Sequence, residues 1–97
     1  MITKEEVYEK ADKYLIKNIG NLVGPGEPVF DAKVNVWIVP VFHMSKVAVF
    51  PVDEIVVDND GNILYAPTSK NIDDIFERKL ASNEELKEKF QVMTKAH

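Results

Sequence analysis

Val36-Trp37-Ile38-Val39-Pro40-Val41-Phe42 decides what kind of domain this chain can form. The run is rich in β-branched and aromatic side chains, which suits a strand, and it falls far short of the roughly 20 apolar residues that span a bilayer. Successive strand side chains point to opposite faces, so an unbroken apolar run calls for cover on both sides. Upstream, Asp31, Lys33 and Asn35 alternate with Ala32, Val34 and Val36, which extends the reading to a single strand from Val29 to Phe42 with one polar face in its first half. Pro40 within it predicts a bulge or an edge, because proline cannot donate to the ladder.

Downstream, His43-Met44-Ser45-Lys46 reads as a loop, and Lys46 to Phe50 as a second strand folding back in a hairpin. Pro51 interrupts the chain before a third strand at Glu54-Ile55-Val56-Val57. Asp58-Asn59-Asp60-Gly61-Asn62 is a hairpin turn, since Asp, Asn and Gly accept the required backbone angles, and Ile63-Leu64-Tyr65 returns as a short fourth strand.

Helices flank this region. Thr3-Lys4-Glu5-Glu6 has the form of a capping box, and Val7, Ala11, Leu15, Ile19 and Leu22 recur every three or four residues. Glu6/Lys10 and Glu9/Lys13 occupy the opposite, wet face in the favourable order. That helix should stop near Gly20, ahead of a connector at Gly24-Pro25-Gly26-Glu27-Pro28. After the strands, Asn71 with Asp74 at its third position predicts a second helix with an apolar stripe of Ile72, Ile75, Phe76 and Leu80. Ser82-Asn83-Glu84-Glu85 is another capping box, and Leu86, Phe90 and Met93 continue the stripe as a second short helix or as a bend in the first. The expected fold is α+β: an N-terminal helix, a three- to four-stranded antiparallel sheet and a C-terminal helical segment.

A chain of 97 residues accommodates one core, so residues 1–97 are expected to form a single domain. A hydrophobic content of 45% with 29% charged residues supports unaided folding. Twelve basic against 16 acidic residues leave a formal charge of -4, too little positive potential for a nucleic-acid partner. The absence of cysteine removes disulfides, thiolate catalysis and iron-sulfur clusters. The first residues lack the apolar core of a secretory leader, so the expected location is the cytoplasm, with no membrane-crossing segment.

No motif of established chemistry stands out. Taking Gly61 as the sixth position of a calcium loop puts Val56 first and Pro67 twelfth, where carboxylates are needed, so no metal is expected. Gly24-Pro25-Gly26 leaves a helix and enters a strand, the reverse of a phosphate-binding loop, and neither a serine elbow nor an HExxH pattern occurs, so no cofactor is expected. His43, Asp53 and Glu54 form the candidate polar site, because a histidine general base needs a partner within hydrogen-bond reach. The candidate interaction surface is Trp37, Val39, Val41 and Phe50. Helices on one side of the sheet would leave the other side open to a partner, whereas helices on opposite sides would leave nothing open. The function expected is a noncatalytic binding module with a protein partner or a second copy of itself. The alternative is a small-molecule binder or small enzyme with a pocket between sheet and helices.

The helix from Ala11 to Ile19, the Pro25-Gly26-Glu27 turn, Val56-Val57-Asp58 and Asp60-Gly61-Asn62-Ile63-Leu64 together resemble the PepSY-type module over residues 8–65. That family places a helix before a "PGE" turn, an antiparallel sheet and a closing hairpin. The resemblance implies a noncatalytic interaction or inhibitory module, usually outside the cytoplasm. The added C-terminal helical region and the lack of a leader depart from the family pattern.

Overall fold

In the computed structural model, which describes residues 1–84 and Glu88, the chain runs from a helix through an antiparallel sheet to a second helix, an α+β fold. Helix α1 spans Lys4–Asn18. Its capping box closes as the sequence predicts: the Thr3 hydroxyl accepts the Glu6 N–H, and the Glu6 carboxylate accepts the Thr3 N–H. These bonds hold the Glu6 carboxyl below the usual range. Val7, Ala11 and Leu15 are fully buried. The N–H groups of Ile19 and Gly20 both reach the Leu15 carbonyl, and Gly20 takes φ 137°, which ends the helix before Leu22. Leu22 therefore lies outside the helix and is exposed.

The sheet has five strands: β1 (Val23–Pro25), β2 (Val29–Asp31), β3 (Val36–Met44), β4 (Val49–Asp58) and β5 (Ile63–Tyr65). Their order is β1-β3-β4-β5, and β2 pairs with β3 on the edge that β1 also occupies. β1 covers His43 to Val41 of β3 and β2 covers Ile38 to Val36, so the two short strands act as one interrupted edge strand. The Gly26 N–H bonds the Pro40 carbonyl at 2.7 Å and carries the pairing across the gap. The connector expected at Gly24 to Pro28 thus lies within the sheet.

Two expectations about the strands need correction. Val29 to Phe42 is a hairpin and not one strand, because Asp31 Oδ1 accepts the Lys33 N–H and Asn35 adopts φ 57°, which reverses the chain between β2 and β3. The strands expected at Lys46 to Phe50 and Glu54 to Val57 are one ten-residue strand, β4. Pro51 is absorbed by a register shift opposite Val41 and Phe42, where β4 carries an extra residue. The turn at Asp58 forms as expected: Asp58 Oδ1 accepts N–H groups from Asp60 and Asn62, and Gly61 sits at φ 89°. These hydrogen bonds, the Asn62 N–H foremost, lower the Asp58 carboxyl from its usual range.

Helix α2 spans Ser69–Ser82 and is capped by Thr68, whose hydroxyl accepts the Asn71 N–H; Asn71 is the third helical residue and not the cap. Ile72 is buried, while Ile75, Phe76 and Leu80 are partly so. The expected continuation through Glu85, Leu86, Phe90 and Met93 lies outside the described residues. No helix among those described is long and apolar enough to cross a membrane.

Both helices pack on the same side of the sheet. Val7, Ala11 and Leu15 of α1 and Ile72 of α2 share one buried cluster with Val39 and Val41 of β3 and Ile55 and Val57 of β4. The Tyr14 hydroxyl donates to the Pro67 carbonyl at 2.9 Å and ties α1 to the segment that leads into α2. Side chains alternate along a strand, so the residues between these core positions face away from both helices.

Candidate functional site

Beyond the core, a cavity of about 550 Å3 lies between the start of α1 and the Pro25 to Pro28 connector, a second cavity lies on the helical side beside His43, and the face behind the sheet is bare of described elements.

The cavity beside His43 measures about 530 Å3 and lies where the end of α1, strand β1 and helix α2 meet above the end of β3. Ile19, Leu22, Ile72 and Phe76 line it, together with the polar groups of Asn21, Ser45, Ser69 and Asp73. His43 is its most buried polar residue, 7% exposed. The imidazole lies against Phe50 at 5.0 Å and Phe76 at 4.8 Å between ring centroids, and Phe50 and Phe76 stack at 5.9 Å. Burial pushes the His43 pKa down, since imidazolium is poorly solvated there. The side chain is therefore neutral at neutral pH.

Asp53 and Glu54 do not line this cavity. Cross-strand register sets Asp53 opposite Val41 and Glu54 opposite Pro40, while His43 faces Phe50. Asp53 is instead held by the Tyr65 hydroxyl, which donates to both carboxylate oxygens at 3.0 and 3.2 Å and has its own pKa raised by that bond. Glu54 is exposed. The polar trio expected from sequence is thus dispersed, because the bulge near Pro51 shifts the alternation of β4 between Phe50 and Glu54.

The residues expected to form an interaction surface lie on the helical side. Val39 and Val41 are fully buried beneath α1. Trp37 is partly buried, packs against the core and meets Phe30 at 5.2 Å. Its Nε1 has no hydrogen-bond partner among the described residues. Phe50 belongs to the aromatic group around His43.

The apolar surface behind the sheet is formed by the neighbours of those residues, one step along each strand, with Ile38, Pro40, Phe42 and Val56 half-buried and Val29, Met44 and Tyr65 exposed. Val29, Ile38, Val56 and Tyr65 are successive register partners across β2, β3, β4 and β5 and form one row over the outer face. Pro40 and Phe42 continue the patch along β3. Val29 is 61% exposed and Tyr65 45%. Two glycines keep the face flat: a Cβ on Gly26 would stand 2.5 Å from Phe42 Cε2, and one on Gly24 would stand 2.9 Å from the Met44 sulfur. Phe42 and Met44 can therefore lie across β1 instead of standing off it.

The carboxylates bordering this face are largely engaged elsewhere. Asp31 accepts from the Lys33 amide and Asp58 from its own turn, while Glu54, the register partner of Pro40, is exposed; Glu27 lies on the helical side, where pairing with Lys4 of α1 lowers its carboxyl from the usual range. Register places no lysine or arginine on the outer positions of β3 and β4. Residues Ile38, Pro40, Phe42 and Val56 are all within runs that sequence reading marks as apolar, but their separation from the core depends on which parity faces the helices. Compared with protein-family models, curated proteins and solved structures, the chain matches none.

Proposed function

We propose that this chain is a noncatalytic binding module that recognises protein through the outer face of its sheet. One observation carries the reading: both helices cover the same side, so the opposite side presents apolar side chains with no element of the described chain against them. Contiguous exposed apolar patches on a folded domain mark contact surfaces more often than isolated exposed residues do. The dispersal of His43, Asp53 and Glu54 gives no support to an acid-base reaction.

A dye such as anilinonaphthalene sulfonate tests this at submicromolar chain concentration. The folded wild type should bind it, and Ile38→Glu or Val56→Glu should abolish most of the signal while Trp37 emission stays unchanged. A folded chain that leaves the dye in water would end the proposal.

A second reading, a small-molecule binder, draws on the cavity beside His43, whose volume falls in the range of ordinary ligand sites. The same titration separates the two. Dye binding that survives Ile38→Glu but is lost on Phe76→Ala would favour the cavity.

A further inference from the structure

None of the five strands contains a lysine or arginine. Carboxylates, in contrast, stand on both sides of the apolar row that crosses the outer face. Asp31, Val36 and Asp58 are register partners across β2, β3 and β4, and the next outer row is Val29, Ile38, Val56 and Tyr65. Beyond that row comes Glu54, opposite Pro40. Asp31 and Asp58 accept N–H groups within their own turns, which satisfies their oxygens without removing their charge. For Asp58 those bonds lower the pKa and so keep it ionised. Glu54 is exposed. Lys33 and Lys46, the cations nearest to β3 in sequence, lie in the connections at its two ends. Apolar side chains flanked by anions complement a partner that carries lysine or arginine beside its own apolar residues, and they repel a second acidic face.

The shape of the face narrows the choice further. β3 has nine residues and β4 ten, against three in each of β1, β2 and β5. At about 3.3 Å per residue and about 4.8 Å between strands, the face is a ribbon roughly 30 Å long and about 10–15 Å wide. One helix is about 10–12 Å across with its side chains, and about 20 helical residues cover that length. A second sheet is wider than such a ribbon. We infer that the open face takes a basic amphipathic helix of another protein, laid along β3 and β4. Its apolar stripe rests on Val36, Ile38, Pro40 and Val56, and its lysines or arginines lie over Asp31, Glu54 and Asp58. This rests on the interaction-module reading above and names the chemistry of the partner. A helix here would give the sheet a layer on each side, a common way of burying both faces. So narrow a contact buries less than about 1,200 Å2, which places the complex among weak, transient ones.

The test is fluorescence anisotropy of a labelled model peptide of about 18 residues, with leucines at helical spacing on one face and lysines on the other. It is titrated with the full chain at low salt and at about 0.15 M salt, beside the dye titration. The expected result is micromolar binding that weakens at the higher salt, and no binding of the same peptide with glutamate in place of lysine. Glu54→Lys, and independently Val29→Lys at a position already 61% exposed, should each weaken binding at least about fivefold. Glu9→Lys, on the exposed side of α1, makes the same change in net charge as Glu54→Lys and should leave binding within about twofold of wild type. Trp37 emission and circular dichroism confirm that each variant is folded. A wild type that ignores the lysine peptide yet binds dye at Ile38 overturns the basic helix and keeps the interaction module. A chain that binds neither defeats both. Equal weakening by Glu9→Lys and Glu54→Lys, or equal binding of the glutamate peptide, would overturn the assignment of the basic helix to this face.

Discussion

His43 shows how a single polar residue can be set by its surroundings without being a catalyst. It occupies the last buried position of β3, against two phenylalanine rings that also stack on each other, and burial lowers its pKa. The linkage has a definite sign. Above about pH 6.5 the imidazole is neutral in both folded and unfolded chains and contributes no pH dependence. As the pH falls below that value, the unfolded chain takes up the proton first, so stability is lost until the depressed folded pKa is passed. Denaturant unfolding between about pH 7.5 and 5 should therefore show a decline that His43→Phe removes, in a window where most carboxylates are still ionised. An unchanged slope in the variant would mean that His43 is solvated well enough to protonate in place. The residue was legible in the sequence only as a candidate; its partners were not, because Phe76 comes from a helix 33 positions away and no local pattern connects them.

At the scale of elements, the helices and turns follow local chemistry closely. Thr3 and Glu6 cap α1, and Asp58 with Gly61 closes the turn before β5, each through bonds within four residues. The strands were less legible, since the reversal at Asn35 depends on a positive φ that asparagine tolerates but does not announce. Pro51 similarly suggested a break between two strands, whereas the pairing of β4 with all of β3 outweighs the missing donor and leaves a bulge. The interrupted edge strand depends on glycine at position 26, where a methyl group would press on both Phe42 and Pro40. Gly26→Ala should destabilise the fold by about 1–3 kcal/mol, the usual cost of overpacking, and should increase the exposure of Phe42. A neutral or stabilising result in chemical denaturation would show that β1 and β2 can move apart freely.

At the scale of the molecule, the deciding fact is that two helices share one side of a four-position sheet. The run from Val36 to Phe42 announced that both faces are apolar, and that much follows from sequence. It could not announce which alternate set would be covered, because helix placement is a long-range property and a one-residue change of parity exchanges the faces. Trp37, Val39 and Val41 took the helical side, and Ile38, Pro40 and Phe42 were left outside. The absence of native cysteine makes this parity directly measurable by thiol labelling of single-cysteine variants at high dilution. Ile38→Cys and Val56→Cys, at half-buried positions, should react with a thiol reagent in the folded chain, more slowly than in an unfolded control, while Val39→Cys and Ile55→Cys, at fully buried positions, should react only on unfolding. Protection of Ile38→Cys and Val56→Cys in the dilute folded chain, or ready labelling of Val39→Cys and Ile55→Cys, would contradict the assignment of the open face.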